Sequence, residues 1–132
     1  DPEMSRGLGD VYKRQTLLEQ KTQTIHFRGN GEVLRKKQGF EVRFKDRTYS
    51  YCWKIYEKAC TIQSSSEIDV FLTLKENHRT KGHIDSEYGR IPVECELIEY
   101  TVCKDEVEVM YDLIQGSERQ RFHFILSIKE DM

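Results

Sequence analysis

The chain has 132 residues, of which 37% are hydrophobic and 11% aromatic, enough for one domain that buries a core without disulfides or metal. The 21 basic and 23 acidic residues nearly cancel, to a formal charge of -2, and they are scattered along the chain. This balance disfavours a dedicated surface for nucleic acid or for an anionic membrane. Since no apolar run approaches the roughly 20 residues of a membrane-spanning helix, we expect a soluble domain with neither partner.

The first fifteen residues look foreign to the rest of the chain. The run Ser5 to Gln15, SRGLGDVYKRQ, is the translation of a transposase adapter used in sequencing libraries, which indicates a gene assembled from environmental DNA. We therefore predict a non-native, disordered leader over residues 1–15, which carries no information on targeting. The remaining residues, 16–132, are predicted to form a single β-barrel domain. Its first strand is expected to be truncated, which would leave the seam between first and last strands poorly closed.

From Thr16 onward, apolar and polar residues alternate, which is the period of a strand with one buried face. Six segments show this alternation strongly and four show it weakly. No segment of 10 or more residues shows the sustained apolar stripe of a helix. The strong segments are 40–44, 49–55, 68–74, 91–97, 107–113 and 122–128, and the weak ones are 22–28, 32–36, 59–63 and 79–85. The pattern predicts an all-β, antiparallel up-and-down meander of about eight to ten strands. Closure into a barrel is favoured over two packed sheets because it removes exposed edges.

Turn residues separate these segments. The run Gly29-Asn30-Gly31 and the pair Tyr88-Gly89 are examples of residues suited to tight turns. After Leu97 the apolar residues change parity, with Ile98, Tyr100 and Val102 taking over. One extra residue of this kind predicts a β-bulge.

The four cysteines do not have the spacing of a metal site. Cys52 and Cys60, and likewise Cys95 and Cys103, have seven residues between them, whereas structural zinc knuckles use much shorter spacings. We expect free thiols, no metal and no cofactor. Free thiols favour a reducing compartment, here the cytoplasm.

The histidines lack the partners that a catalytic or metal site would need. His26 and His123 alternate with aromatic residues and are expected to face solvent. His83 lies near Ser86 and Glu87 in sequence, but such residues form a hydrolase site only if they converge in space. The prediction is a protein that is not an enzyme, with a hydrolase-type site at a barrel mouth as the alternative.

Three segments resemble the YwiB-like family of uncharacterised bacterial proteins: residues 83–89 (HIDSEYG), 107–113 (VEVMYDL) and 122–130 (FHFILSIKE). With the early runs around Gly31 and Gly39, the likeness spans residues 22–130. The family's turn reads approximately Tyr-x-Thr-Pro-Tyr-Gly, of which only Tyr88 and Gly89 match here. The resemblance implies a calycin, or lipocalin-like, barrel in a small intracellular protein of Gram-positive bacteria. It implies no established activity, cofactor or catalytic residue.

Two functions remain open. The first is a barrel that binds a small apolar or amphipathic ligand, since small barrels are either filled by side chains or hold one ligand among them. The second is a non-enzymatic protein-interaction module with a packed interior, which would show an exposed apolar patch. For the first, the interior residues are Tyr51, Trp53, Tyr111 and Phe124, with Arg79 or Tyr88 near a rim; for the second, the patch residues are Tyr56, Phe71, Ile98 and Ile125.

Overall fold

The structure, a computed structural model, describes residues 10–20 and 23–130, with side chains described for residues 16–20 and 23–128. Ten antiparallel strands follow one another and close into a barrel, in which each strand pairs with its neighbours in sequence and β1 also pairs with β10. The all-β barrel prediction is confirmed. The strands are β1 (Asp10–Glu19), β2 (Thr24–Lys36), β3 (Gly39–Lys45), β4 (Ser50–Tyr56), β5 (Ala59–Ser65), β6 (Asp69–Lys75), β7 (Arg79–Ser86), β8 (Gly89–Val102), β9 (Glu106–Gln115) and β10 (Glu118–Glu130).

Strand β1 closes the barrel. It pairs with β10 from Lys13 opposite Glu130 to Glu19 opposite Phe124, and with β2 on its other side. The predictions of a disordered segment over residues 10–15 and of a poorly closed seam are therefore wrong, while residues 1–9 lie outside the described residues. The reason is that strand pairing uses backbone N–H and C=O groups, which every residue but proline carries in full. Residues 10–15 can pair whatever the origin of their sequence.

Strand β2 is longer than predicted because it runs through the expected turn at Gly29-Asn30-Gly31. These residues pair with Gln15, Arg14 and Lys13 of β1. Gly29 serves packing rather than a turn, since a Cβ there would lie 3.3 Å from the ring of Phe27. Residues 24–28 of the first predicted segment and the predicted segment 32–36 are thus parts of one strand, while residue 22 lies outside the described residues.

The connections divide the barrel into two ends. The loops after β1, β3, β5, β7 and β9 lie at one end, here called the open end, and the loops after β2, β4, β6 and β8 lie at the other, the closed end. Inward residues between them form a single core. Its largest fully buried side chains are Trp53, Ile55, Leu74, Leu126, Ile128, Val33, Val42, Val107, Val109 and Cys60.

A β-bulge in β8 shapes the closed end. The register with β9 shifts between Leu97 and Glu99, which confirms the predicted bulge. Three apolar residues beyond Leu97 were expected to continue the apolar face of β8. Only Tyr100 packs against the core, whereas Ile98 and Val102 are exposed. The Tyr100 hydroxyl donates to the carbonyl oxygen of Tyr56 at 2.6 Å and lies 3.0 Å from that of Ala59. The bulge therefore lets a side chain of β8 reach the β4–β5 loop and cover this end of the core.

The outer face of β9 and β10 carries a buried carboxylate. Asp112 is 0% exposed and accepts hydrogen bonds from Arg121 Nε at 2.8 Å and Arg119 at 2.7 Å. The hydrogen bond from Arg121 contributes most to holding the pKa of Asp112 below its usual value, and Arg119 adds to it. The two arginines supply the partners that a buried charge requires.

Strands β6 and β7 approach closely at Gly82. A Cβ at this position would lie 2.5 Å from the carbonyl oxygen of Phe71 and 2.9 Å from a methyl carbon of Leu72. We expect Gly82→Ala to lower the free energy of unfolding in urea by about 1–3 kcal/mol, the usual cost of overpacking. Lys81→Ala, on the exposed neighbour, should change it by less than about 0.5 kcal/mol. Equal stabilities of the two variants would contradict the close approach.

The Asp112 ion pairs predict a pH-dependent stability. The folded-state pKa lies below the reference value of 3.8, so this stabilisation is complete above that value and is lost as the pH falls through the folded-state pKa. We expect Asp112→Asn to cost about 1 kcal/mol at pH 7, since the half-exposed arginines are screened by solvent. The difference in the free energy of unfolding between this variant and the unsubstituted protein should vanish at low pH. Urea unfolding across pH 2–7 measures this difference, with the exposed Asp69→Asn as control. A difference that stays constant with pH would refute the prediction.

Candidate functional site

The interior holds a cavity of about 370 Å³ at the open end of the barrel, within the range of about 300–1,000 Å³ that small-molecule sites occupy. It opens to solvent at the exposed residues His26 and Tyr49, and its other lining residues are buried or half-buried. Lys, Arg, Asp and Glu do not occur among its described lining residues. The lining consists of Leu17, His26, Tyr49, Tyr51, Trp53, Ile62, Ser64, Val70, Leu72, Ile84, Tyr111, Leu113, Phe122 and Phe124.

The four residues predicted to line the interior all meet at this cavity. Tyr51 and Trp53 come from β4, Tyr111 from β9 and Phe124 from β10. In the ring of ten strands β4 and β9 are five positions apart, so they face each other across the barrel. The rings of Trp53 and Phe124 make an edge contact, with centroids 6.3 Å apart and planes at 83°. The alternation of apolar and polar residues along the strands was therefore sufficient to predict that these four side chains share the interior.

Parallel rings form one wall of the cavity. Phe122 and Phe124 on β10 lie with centroids 6.0 Å apart and planes within 5°. Tyr111 on β9 continues the stack, 5.5 Å from Phe122 at 27°. The opposite side carries Tyr49 and Tyr51, stacked at 5.9 Å. The cavity is thus lined by stacked aromatic rings on two sides.

One buried donor at the cavity lacks a partner. Trp53 is 1% exposed, and its indole N–H makes no hydrogen bond within the described part of the chain. A buried tryptophan N–H usually finds a partner, and an unmade bond of this kind is costly. Trp53, one of the residues that line the cavity, therefore carries an unused and covered hydrogen-bond donor.

Burial raises the pKa of three groups in or near the cavity. One is Tyr111, which lines the cavity. Burial also raises the pKa of Cys60 to about 12 and that of Cys95 to about 11. These groups are neutral at pH 7 and supply neither a thiolate nor a phenolate. The described cysteines are all free, as predicted.

The two predicted rim residues do not line the cavity. Arg79 begins β7 at the closed end, and its guanidinium lies on the outer face, 3.2 Å from Glu96 and 3.6 Å from Glu94. Alternation explains this, because the inward side chains of β7 include Ile84, which has the opposite parity. Tyr88 lies in the β7–β8 loop at the open end but is 91% exposed. The rim assignment is wrong for Arg79, and Tyr88 stands near the mouth without lining it.

The residues of the hydrolase alternative do not assemble. His83 stacks on Phe71 at 5.6 Å on the outer face, and its Nδ1 lies 3.4 Å from Asp85 without forming a hydrogen bond. Asp85 is held by Arg90 at 2.8 Å. The hydroxyl of Ser86 accepts the backbone N–H of Tyr88 at 3.1 Å. No nucleophile-to-base contact joins Ser86 to His83 in this arrangement.

His26 is exposed to solvent, as predicted, but it also lines the mouth of the cavity, which was not predicted. The register between β1 and β2 passes from Leu17 opposite Phe27 to Leu18 opposite Ile25, which leaves His26 as the extra residue of a bulge. Its ring contacts Phe124 at 5.5 Å, at the mouth and not on the outer face. His123, also expected to face solvent, is only 18% exposed and pairs with Glu108. Residues 24–28 do not show the change of apolar parity that marked the bulge in β8, so the bulge at His26 had no signal in the sequence.

A larger depression, of about 460 Å³, lies on the outside of β2, β3 and β4. Outward polar residues dominate it, and its Arg43 is already paired with Glu41. Burial of Glu41 by itself would raise the pKa of that carboxyl, but Arg43 and Lys36 lower it overall. We favour the interior cavity because it combines enclosure with an unpaired donor. Over residues 10–20 and 23–130, no cluster of three His, Cys, Asp or Glu could hold a metal, and no helix is long and apolar enough to cross a membrane.

Comparison with known proteins places the chain in a family. Its fold is similar to that of a solved structure described as "Crystal structure of ywiB protein from Bacillus subtilis", with a TM-score of 0.67 and 10% sequence identity, over 93% of this chain and 91% of that one. No curated protein sequence matches the chain. The domain of unknown function DUF1934 matches residues 11–126. The predicted YwiB-like resemblance is confirmed, and the chain belongs to the DUF1934 family.

Proposed function

We propose that this protein binds a small apolar or amphipathic molecule in the cavity at the open end of its barrel, without catalysing a reaction on it. The observation that carries the proposal is the cavity itself: about 370 Å³, walled by aromatic and aliphatic side chains and containing the unpaired N–H of Trp53. Pockets that are mostly apolar with a few polar groups are typical of small-molecule sites.

The surface around the mouth supports this proposal. Five of the eight large hydrophobic side chains that are exposed in the described chain lie at the open end, on the loops or within three residues of them. An apolar ligand entering there would meet apolar surface before reaching the cavity. These residues are Ile25, Tyr49, Ile68, Tyr88 and Ile91.

The protein-interaction alternative has less support. Its predicted patch residues lie on β4, β6, β8 and β10, and no two of these strands are neighbours in the sheet. Phe71 and Ile98 are each 36% exposed, but they are separated by β7. Single exposed hydrophobic residues of this kind are ordinary on protein surfaces. A protein partner stays a prediction.

The chemistry of the lining supports binding over catalysis. General acid–base catalysis needs a group that exchanges a proton near the operating pH within reach of the substrate. The phenol of Tyr111 keeps its proton, and the described lining offers no carboxylate. Its imidazole, His26, stands at the exposed mouth and not among the buried lining residues. The free thiols support our proposal that the protein works in a reducing compartment such as the cytoplasm.

Filling the cavity tests the proposal. Ser64 lines the cavity from β5, whereas its neighbour Ser65 has the opposite parity. We expect Ser64→Phe to weaken binding of the neutral fluorescent probe N-phenyl-1-naphthylamine by at least about tenfold, the effect of losing about 1.4 kcal/mol of contacts. Ser65→Phe should bind the probe as the unsubstituted protein does. The increase in probe fluorescence on binding gives the affinity of the unsubstituted protein and of both variants.

Two results would refute the proposal: failure of the unsubstituted protein to bind the probe, or equal binding by both phenylalanine variants. If Ser64→Phe does not fold, as judged by circular dichroism, Leu113→Trp fills the same cavity from β9 and replaces it. Native mass spectrometry of freshly purified protein provides an independent measurement, since a copurifying small molecule should be absent from the filled variant.

A further inference from the structure

We propose that the cavity takes a flat aromatic or conjugated ring system that carries an uncharged hydrogen-bond acceptor, and that this acceptor binds the indole N–H of Trp53. The inference rests on the proposed function and narrows it to a ligand class. Three features of the site carry it: the unpaired donor, the flat walls and the absence of ionised residues from the described lining.

The unpaired donor sets the polarity of the ligand. An indole nitrogen can only donate, so a ligand satisfies it with an acceptor such as a ring nitrogen or a carbonyl oxygen. Since the nitrogen is covered, the proposal requires a neighbouring side chain to move when the acceptor binds. The free energy gained from this hydrogen bond is larger here than at a surface, because the donor has already lost its contact with water.

The walls set the shape of the ligand. Tyr111, Phe122 and Phe124 present nearly parallel rings on β9 and β10, and Tyr49 in the β3–β4 loop stacks on Tyr51 of β4. Aromatic rings favour offset-stacked and edge-to-face partners at centroid distances of about 4.5–7 Å. A flat ring system between these walls gains such contacts on its faces and edges, whereas a puckered ring of the same size does not.

The electrostatics of the lining set the charge of the ligand. The described lining residues include no lysine or arginine to balance an anion and no carboxylate to balance a cation. Burying an unpaired charge is far more costly than burying a neutral polar group that is hydrogen-bonded. His26, the one imidazole on the lining, lies at the exposed mouth. An uncharged acceptor therefore suits the deep part of the cavity better than a carboxylate.

Three matched probes separate these requirements. Quinoline is flat and has an acceptor, naphthalene is flat and has none, and 1-decalone has an acceptor on a puckered saturated bicycle. The chain contains one tryptophan, so a ¹H–¹⁵N spectrum of the labelled full-length protein shows a single indole cross-peak, and it belongs to Trp53. Titrations at pH 7 then give both the affinity of each probe and the state of this N–H.

We expect quinoline to bind about five- to tenfold more tightly than naphthalene, the size of one net hydrogen bond, and more tightly than 1-decalone. Quinoline should also move the indole proton downfield of its position with naphthalene, because ring currents are similar in the two complexes and only the hydrogen bond differs. In Trp53→Phe the preference for quinoline over naphthalene should disappear. Tyr56→Phe, an aromatic change outside the cavity, should retain it.

The outcomes distinguish this inference from the proposed function. Binding of naphthalene and quinoline with equal affinity and an unmoved indole proton overturns the inference and leaves cavity binding standing. Equal affinity of 1-decalone and quinoline overturns the requirement for a flat ring. Failure of all three probes to perturb any cavity resonance overturns both proposals. These comparisons use the unsubstituted protein, so they remain decisive if Trp53→Phe does not fold.

Discussion

Closure of the sheet by β1 is the constraint on which the rest of this structure depends. One strand provides backbone partners to β10 and β2 at the same time, and without it both would be exposed edges. Closure also gives every strand one face toward a common interior. With ten strands, that interior is wider than the roughly eight-stranded barrel that side chains just fill. Room for a cavity therefore follows from strand number before any particular residue is considered.

Side-chain shape decides where the remaining space lies. At the closed end the inward residues are mainly aliphatic, such as Ile55, Leu74 and Ile128, each at most 1% exposed, and the Tyr100 hydroxyl ties the β4–β5 loop over them. At the open end aromatic side chains make up about half of the residues that line the cavity. Stacked rings are rigid and keep preferred spacings, so they cannot close every gap as aliphatic side chains do. The barrel is consequently solid at one end and hollow at the other.

Alternation explains how much of this could be predicted from sequence. Because side chains change face at every residue of a strand, Tyr51, Trp53, Tyr111 and Phe124 could be assigned to one interior without any structure. The same rule, applied to β7, would have placed Arg79 outside. Alternation fails where a bulge changes the parity, as at His26, and it is uninformative for residues 10–15, whose strand follows from backbone pairing with β10 and β2. Cavity volume was beyond prediction because it depends on how rings from opposite strands meet.

The arrangement of charge supports a binding role for the cavity. The described ion pairs, among them Asp112 with Arg119 and Arg121 and Glu96 with Arg79, lie on the outer face, where arginine side chains can remain partly in water. Glu19 is a buried carboxylate at the end of β1, but it accepts the backbone N–H of His123 at 3.0 Å and does not line the cavity. The described lining of the cavity, in contrast, includes no Lys, Arg, Asp or Glu and contains Trp53, whose N–H is unpaired. Such a lining offers a ligand shape, apolar contact and a few directional polar contacts, which together determine orientation and selectivity.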